Sequence, residues 1–251
     1  MIVTKFGGSS MADAGQYRKI RDIILSNPNR KVVVVSAAGK RFKNDHKLTD
    51  LLYLCYAHTQ YGVDCSGIFD MICSRYLEIR DELQIDLDLE SEFAALKKRL
   101  DSKTISQDEL VSRGEYFSAK LMAGFLGFDF IDSADWVKFK FDATVDQEAT
   151  YAALAALYKG NGAVIPGFYG VMPDGRIKTF SRGGSDITGS LAAAALDADV
   201  YENWTDVSGI LMADPRIVDN PQAIPEVTVL TAGRFPCRHT SYLMPSCTIH
   251  S

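Results

Sequence analysis

Lys31-Val32-Val33-Val34-Val35-Ser36-Ala37-Ala38-Gly39 is the stretch that decides the fold class. A strand with one wet face alternates apolar and polar residues. An unbroken β-branched run instead suits a strand buried on both faces, as in a parallel sheet. The small residues that follow leave room for a ligand at the strand's carboxyl end. Upstream, Ile2 to Phe6 is a second apolar run, and it stops at Gly7-Gly8. Between the two runs, Gln16 to Leu25 reads as a helix, closed by Asn27-Pro28-Asn29. The chain therefore begins strand, helix, strand.

The same alternation continues downstream. Leu48 to Tyr61 reads as a helix. Phe69, Ile72, Tyr76, Ile79 and Leu83 mark one face of another, with Glu78, Asp81 and Glu82 on its solvated side. Asp108 to Leu126 reads as a helix, and Phe128 to Ile131 and Trp136 to Phe141 as strands. Gln147 to Lys159 is an alanine-rich helix with Gly160 placed to end it. Ala163 to Ile165 opens a strand. Pro173-Asp174-Gly175 is a turn signal inside a hairpin from Tyr169 to Phe180. Ile187 to Leu196 is helical and Val200 to Trp204 extended. The expected fold is α/β, a mainly parallel central sheet sandwiched between helices. Ligands in such folds sit beyond the carboxyl ends of the strands.

Composition excludes several classes. The chain has 251 residues, 47% hydrophobic and 24% charged, which are ordinary globular values. Lys plus Arg is 27 against 32 for Asp plus Glu, a net charge of −5. No nucleic-acid partner is expected, since general binders carry clustered cations. No apolar run approaches the ~20 residues that span a bilayer, so no membrane association is expected. The start, Met1 to Phe6, lacks the long apolar region of a signal peptide. Cys55, Cys65, Cys73, Cys237 and Cys247 are odd in number and form no CxxC pair. That pattern argues against a disulfide framework or zinc site and for reduced thiols in a cytoplasmic chain.

Five loops could carry chemistry. Lys5-Phe6-Gly7-Gly8-Ser9-Ser10 couples a cation to glycines whose backbone N–H groups can cradle an anion. It is neither G-x-x-x-x-G-K-[ST] nor G-x-G-x-x-G. Ser36-Ala37-Ala38-Gly39 precedes the basic stretch Lys40, Arg41, Lys43 and Lys47, which near an anion site would attract acidic substrates. Ser112-Arg113-Gly114-Glu115 lies in a helix, where a glutamate taken alone reads as a surface residue. Ser181-Arg182-Gly183-Gly184-Ser185-Asp186 sets a fork-shaped cation, glycines and a carboxylate at a helix start. Taken alone, Ser185 or Asp186 reads as a helix cap. Trp204-Thr205-Asp206-Val207 and Asp214-Pro215-Arg216 place polar groups after the last strand.

Lys5-Phe6-Gly7-Gly8-Ser9-Ser10, Ser112-Arg113-Gly114-Glu115, Gly183-Gly184-Ser185-Asp186, Trp204-Thr205-Asp206-Val207 and Asp214-Pro215-Arg216 resemble, in order and spacing, the motifs of aspartokinases, within the amino-acid kinase superfamily. The resemblance covers residues 1 to 228 as a catalytic domain. It implies transfer of the γ-phosphoryl of ATP to the β-carboxylate of L-aspartate, giving 4-phospho-L-aspartate, the first step towards lysine, threonine and methionine. Lys5 and Asp186 would be catalytic. Gly7, Gly8 and Ser9 would face the phosphates, and Thr205, Asp206 and Arg216 would help bind ATP. Arg182 would meet the α-carboxylate of aspartate and Glu115 its α-ammonium, with Ser36, Thr49 and Ser185 adding hydrogen bonds. Magnesium would arrive with ATP, and no protein ligand for it is assigned. A homo-oligomer is left open.

The chain departs from the family pattern in two places. Leu211 stands where the family often has a tyrosine. Residues 229–251 contain no Lys, Asp or Glu and include Phe235-Pro236-Cys237-Arg238-His239 and Met244-Pro245-Ser246-Cys247. They read as an atypical tail, without the second ATP-side lysine or the ACT regulatory domains that the family implies, as a truncation with a shifted frame would give. Two alternatives stay open: another superfamily member, acting on acetylglutamate, glutamate, carbamate or a uridine nucleotide, and a non-catalytic nucleotide- or amino-acid-binding module.

Overall fold

The computed structural model describes residues 1–181 and 183–204 with their side chains, and 210–211, 223–224, 226–229 and 240–243 as backbone strands. In chain order these include β1 (Ile2–Phe6), α1 (Ala14–Leu25), β2 (Arg30–Val35), α2 (Leu48–Gln60), α3 (Ser66–Leu83), α4 (Leu89–Asp101) and α5 (Gln107–Leu126). Then come β3 (Asp129–Phe130), α6 (Ser133–Trp136), α7 (Gln147–Leu157), β4 (Ala163–Pro166), β5 (Tyr169–Val171), β6 (Ile177–Thr179), α8 (Gly184–Ala195) and β7 (Val200–Trp204). The remaining strands are β8 (Ile210–Leu211), β9 (Ala223–Ile224), β10 (Glu226–Val229) and β11 (Thr240–Leu243).

The main sheet runs β10-β11-β7-β1-β2-β4-β3. Every neighbouring pair is parallel except β10 with β11. Val32, Val33, Val34 and Val35 are all fully buried, as the unbroken run requires. Val33 and Val35 face a core built with α1 to α5, through Tyr17, Leu52, Tyr76, Phe93 and Leu121. Val32 and Val34 face a second core built with Trp136 of α6, Leu154 of α7 and Leu191 and Ala192 of α8. Both faces of the sheet are covered, and the expected α/β sandwich is the architecture found. Each fully buried large apolar side chain contributes roughly 1.5–3 kcal/mol. Two such cores are ample to hold a polar site at the sheet's edge.

Some expected elements change. Trp136 to Phe141 is not a strand. Asp132 accepts a hydrogen bond from the Ala134 N–H and caps the one-turn helix α6, which buries Trp136. Beyond it only single bridges form, Lys138 with Val171 and Phe139 with Val145, while Phe141 is exposed. Helix α4 was not among the expected elements, although Leu89, Phe93, Leu96 and Leu100 all face inward behind an Asp88 cap. The hairpin forms as expected from β5 and β6, with Gly175 at φ +83° in its turn. At the far edge, β10 spans residue 228, and β11 lies within the segment read as an atypical tail, pairing parallel with β7.

Candidate active site

The register of the sheet fixes where the loops meet. Phe6 pairs with both Val35 and Trp204, and Val35 with Pro166. Four parallel strands therefore end side by side. The ladder continues past these ends: Ser36 N–H donates to Phe6 (3.2 Å), Gly167 N–H to Val35 (2.9 Å) and Gly7 N–H to the Trp204 carbonyl (3.3 Å). The first two loops are pressed together. Gly39 N–H donates to the Gly8 carbonyl at 2.8 Å, and a Cβ on Gly39 would stand 2.6 Å from the Gly8 carbonyl carbon. No side chain fits at Gly39, so the backbone of 8–9 and that of 39 form one surface. Gly7 and Gly8 are half-buried, and Ser9 is exposed on that surface.

Lys5 is 7% exposed, one residue before the end of β1. Its Nζ lies 2.8 Å from Asp186 Oδ1. The sequence left Asp186 as a possible helix cap. The structure gives the cap to Gly183, in the left-handed region at φ +58°, and makes no side-chain cap bond there. Asp186 is thereby freed in the first turn of α8 to pair with Lys5, its side chain 46% exposed. Asn203, which the sequence reading did not single out, stands directly across from Lys5 on β7 and donates Nδ2–H to the same Oδ1 at 3.1 Å. With Oδ1 taking two donors, Oδ2 takes no hydrogen bond among the described residues. The signal for Asn203 was its place in the strand beside Lys5, legible only once the register is known.

Glu115 is the second unusual charge. Sequence alone favoured a helix-surface glutamate, but it is 5% exposed on the inner side of α5. Burial drives its carboxyl up to about 8, offset only in part by a hydrogen bond from the Ala37 backbone. Its Oε2 has no partner. Gly114 allows this close approach, because a Cβ there would stand 2.8 Å from the Ala37 Cβ. Glu115 thus abuts the Ser36–Gly39 loop with one oxygen unsatisfied, and an unpaired buried acceptor is costly enough to call for an explanation.

The other expected residues are distributed as follows. Ser36 is half-buried just past β2, and Thr49 is half-buried in the first turn of α2, whose Leu48 N–H donates to Ala38 at 3.1 Å. Ser185 is buried against Gly167, where a Cβ would stand 2.5 Å from Ser185 Oγ. Lys5, Gly7, Gly8, Ser36, Asp186 and Glu115 all belong to the carboxyl edge or the elements pressed on it. Arg182, Thr205, Asp206 and Arg216 lie outside the described residues, as do Cys237 and Cys247. Cys55, Cys65 and Cys73 are free thiols. The described residues contain no group of three or more metal-ligating side chains and no helix long and apolar enough to cross a membrane. An open cleft lined by Phe139, Lys140, Phe141, Asp142, Asp146 and Pro173 shares no residue with this edge.

Comparison with known proteins gives a consistent picture. Aspartokinase 3 of Bacillus subtilis is 34% identical over 265 residues, covering 98% of this chain and 58% of that protein. Lysine-sensitive aspartokinase 3 of Escherichia coli is 30% identical over 275 residues, with the same coverage. The chain thus spans a little over half the length of these relatives. Among solved structures, Clostridium acetobutylicum aspartate kinase is 49% identical with a TM-score of 0.82, covering 88% of this chain and 51% of that one. Escherichia coli aspartokinase III in complex with aspartate and ADP is 28% identical with a TM-score of 0.76, covering 89% and 53%. The sequence profile of the amino acid kinase family matches residues 1–244, running past Thr228, and the chain belongs to that family.

Proposed function

We propose that the protein is an aspartate kinase catalytic unit, moving the γ-phosphoryl of ATP to the β-carboxylate of L-aspartate. The observation that carries this reading is the buried Lys5 ammonium at the sheet's carboxyl edge, held by Asp186 beside the Gly7–Ser9 backbone. The similarity to a kinase solved with aspartate and ADP supports the choice of substrates. An aspartate side chain has an ordinary pKa of ~3.9, so the nucleophile is already ionised at neutral pH. No general base is required. The barrier is repulsion between an anionic nucleophile and a polyphosphate, and catalysis is positioning plus preorganised positive charge.

Lys5 uses one donor on Asp186 and directs its remaining N–H groups at the transferring phosphoryl. Gly7, Gly8 and Ser9 offer backbone donors to the phosphates. Asp186 fixes Lys5 through Oδ1 and keeps Oδ2 for the metal–nucleotide assembly. A hard, oxygen-loving ion suits that free carboxylate oxygen, and a single protein carboxylate is typical for magnesium that arrives on phosphates. The ion would supply charge neutralisation of the phosphates. Glu115, ionised on pairing, takes the α-ammonium. Arg182 takes the α-carboxylate, and Ser36, Thr49 and Ser185 complete the amino-acid subsite. Thr205, Asp206 and Arg216 hold the nucleotide.

The deciding experiment is a coupled ADP-release assay with aspartate, glutamate and no acceptor, alongside hydroxylamine trapping of the acyl phosphate. Aspartate-dependent ADP release with trapped product is the expected result. Calorimetric binding of both ligands without turnover would select the non-catalytic module instead. ADP release with glutamate alone would select another member of the family.

A further inference from the structure

A second buried cation–carboxylate pair lies outside the site just described. Arg75 on α3 is 5% exposed and Asp45 is 7% exposed, in the loop between β2 and α2. Arg75 Nη2 contacts both Asp45 oxygens, at 2.9 and 2.8 Å. Its Nη1 donates to the Gly39 carbonyl at 3.2 Å. Arg41 closes the loop on itself, with its backbone N–H and its Nε each 3.0 Å from Asp45 Oδ2, and its Nη1 reaches Glu78 of α3 at 3.1 Å. Burial raises the Asp45 carboxyl, but the hydrogen bonds from Arg41 and His46 and the Arg75 charge outweigh it and hold it well below the usual range. The two charges pair with each other, and neither has a role in the proposed transfer.

Gly39 joins this cluster to the site. Its carbonyl accepts from Arg75, and its N–H donates to Gly8 at 2.8 Å. One residue, through its N–H and its carbonyl, thus ties helix α3 to the phosphate-facing backbone. The next residue back, Ala38, accepts from the first N–H of α2, where Thr49 sits. Release of Arg75 would free the Gly39–Asp45 loop from α3 and remove the only described side-chain contact that holds the Gly39 carbonyl. An arginine is required, because a planar fork serves a bidentate carboxylate and a carbonyl together, while an ammonium does not.

We propose that Arg75 and Asp45 are positioning residues for the Gly7–Ser9 loop: the pair clamps Gly39 against Gly8 and so sets the geometry of the phosphate site. This rests on the kinase reading for the identity of the ligand, but not for the clamp itself.

The test uses the full chain as wild type, Arg75→Lys, Asp45→Asn and, as a control on the same helix, Arg80→Met. Arg80 pairs with Asp81 and Glu90 and touches no residue of the loop. Two quantities are measured where all four are folded by calorimetric melting. The first is hydrogen exchange at the Gly39 and Leu48 amides. The second is calorimetric affinity for magnesium-ATP. Arg75→Lys and Asp45→Asn should speed exchange at both amides at least tenfold and weaken nucleotide affinity about tenfold, while Arg80→Met changes neither. Unchanged exchange in Arg75→Lys overturns the clamp. Faster exchange with wild-type affinity overturns its role in the site. Absence of nucleotide binding by the wild type overturns the kinase reading, and the exchange data then still decide the clamp. Should Arg75→Lys fail to fold, Asp45→Asn carries the same two readouts.

Discussion

Among the described residues two buried cations, Arg75 and Lys5, hold carboxylates, and they do so differently. Arg75 meets Asp45 through two bonds from Nη2, both groups are buried, and both carboxylate oxygens are answered by protein. Lys5 meets Asp186 through one bond, the lysine is buried, and the carboxylate is half open to solvent. The first pair is closed to a ligand and acts through the backbone it holds, at the Gly39 carbonyl. Among the described residues, the second leaves ammonium donors and a carboxylate oxygen unsatisfied, which is the condition for meeting a ligand. Burial and charge alone do not mark a reactive site; incomplete pairing does. Glu115 follows the same rule, with one oxygen orphaned in a dry place.

The largest way to break this contrast is Arg75→Met. Removing one partner of a buried pair typically costs ~3–5 kcal/mol, because the other charge stays buried and unanswered. Chemical denaturation should register a loss of that size. Lys5→Met leaves Asp186 half exposed and free to hydrate, so its stability loss should be well under half as large. A result in which the two variants lose equally would mean that openness of the carboxylate is irrelevant.

Next in size is turnover. A single preorganised donor to developing charge is commonly worth ~10²–10³ in kcat. Lys5→Ala should lose that much in aspartate-dependent ADP release while the ATP KM moves only a few-fold, since the charge it answers grows during transfer. An Asp186→Asn variant keeps the shape but weakens the hold on Lys5 and should fall in the same direction. Loss confined to KM would assign Lys5 to ground-state binding.

A third prediction concerns pH and Glu115. The folded, empty protein keeps a proton on this carboxyl up to about 8, while an unfolded chain releases it in the ordinary glutamate range. Between those limits the folded state binds more protons, so stability falls as pH rises through the window. Glu115→Gln should remove that fall and melt higher than wild type at pH 8. The ammonium of aspartate requires the ionised form, so its binding near pH 7 should release a proton. Calorimetry in buffers of different ionisation enthalpy measures this directly, and buffer-independent heats would sink the assignment.

The smallest effect sharpens the contrast from the other side. Lys97 and Asp101 form an i,i+4 pair on α4 at 2.6 Å with the carboxylate 56% exposed. Such helix pairs contribute ~0.3–0.5 kcal/mol. Lys97→Ala should shift a denaturation midpoint barely above error, and should do so less at high salt.

Much of the site was legible as residues and little of it as geometry. Lys5 and the glycines stood out by type, a lysine closing an apolar run before Gly-Gly, whereas Asp186 and Glu115, which alone read as a helix cap and a surface residue, were picked out only by the family resemblance. Asn203 and Arg75 were marked by neither. An asparagine in a strand and an arginine in an amphipathic helix are ordinary until the register and the helix rotation are known. Trp136 to Phe141 misled for a related reason. Trp136, Val137 and Phe139 are buried as side chains, whereas a strand also needs a partner backbone, and period alone does not supply one.

By itself the sequence determined the α/β alternation, the doubly buried Val32–Val35 strand and the places where loops would end in glycine. Those are local properties, set by side-chain volume, β-branching and backbone freedom within a few residues. The tertiary structure alone decided that Gly39 presses on Gly8, that Asp186 pairs with Lys5, and that Glu115 faces inward. Each depends on groups far apart in the chain, where the energy of an interaction is set by burial and distance and no short stretch of sequence contains both partners.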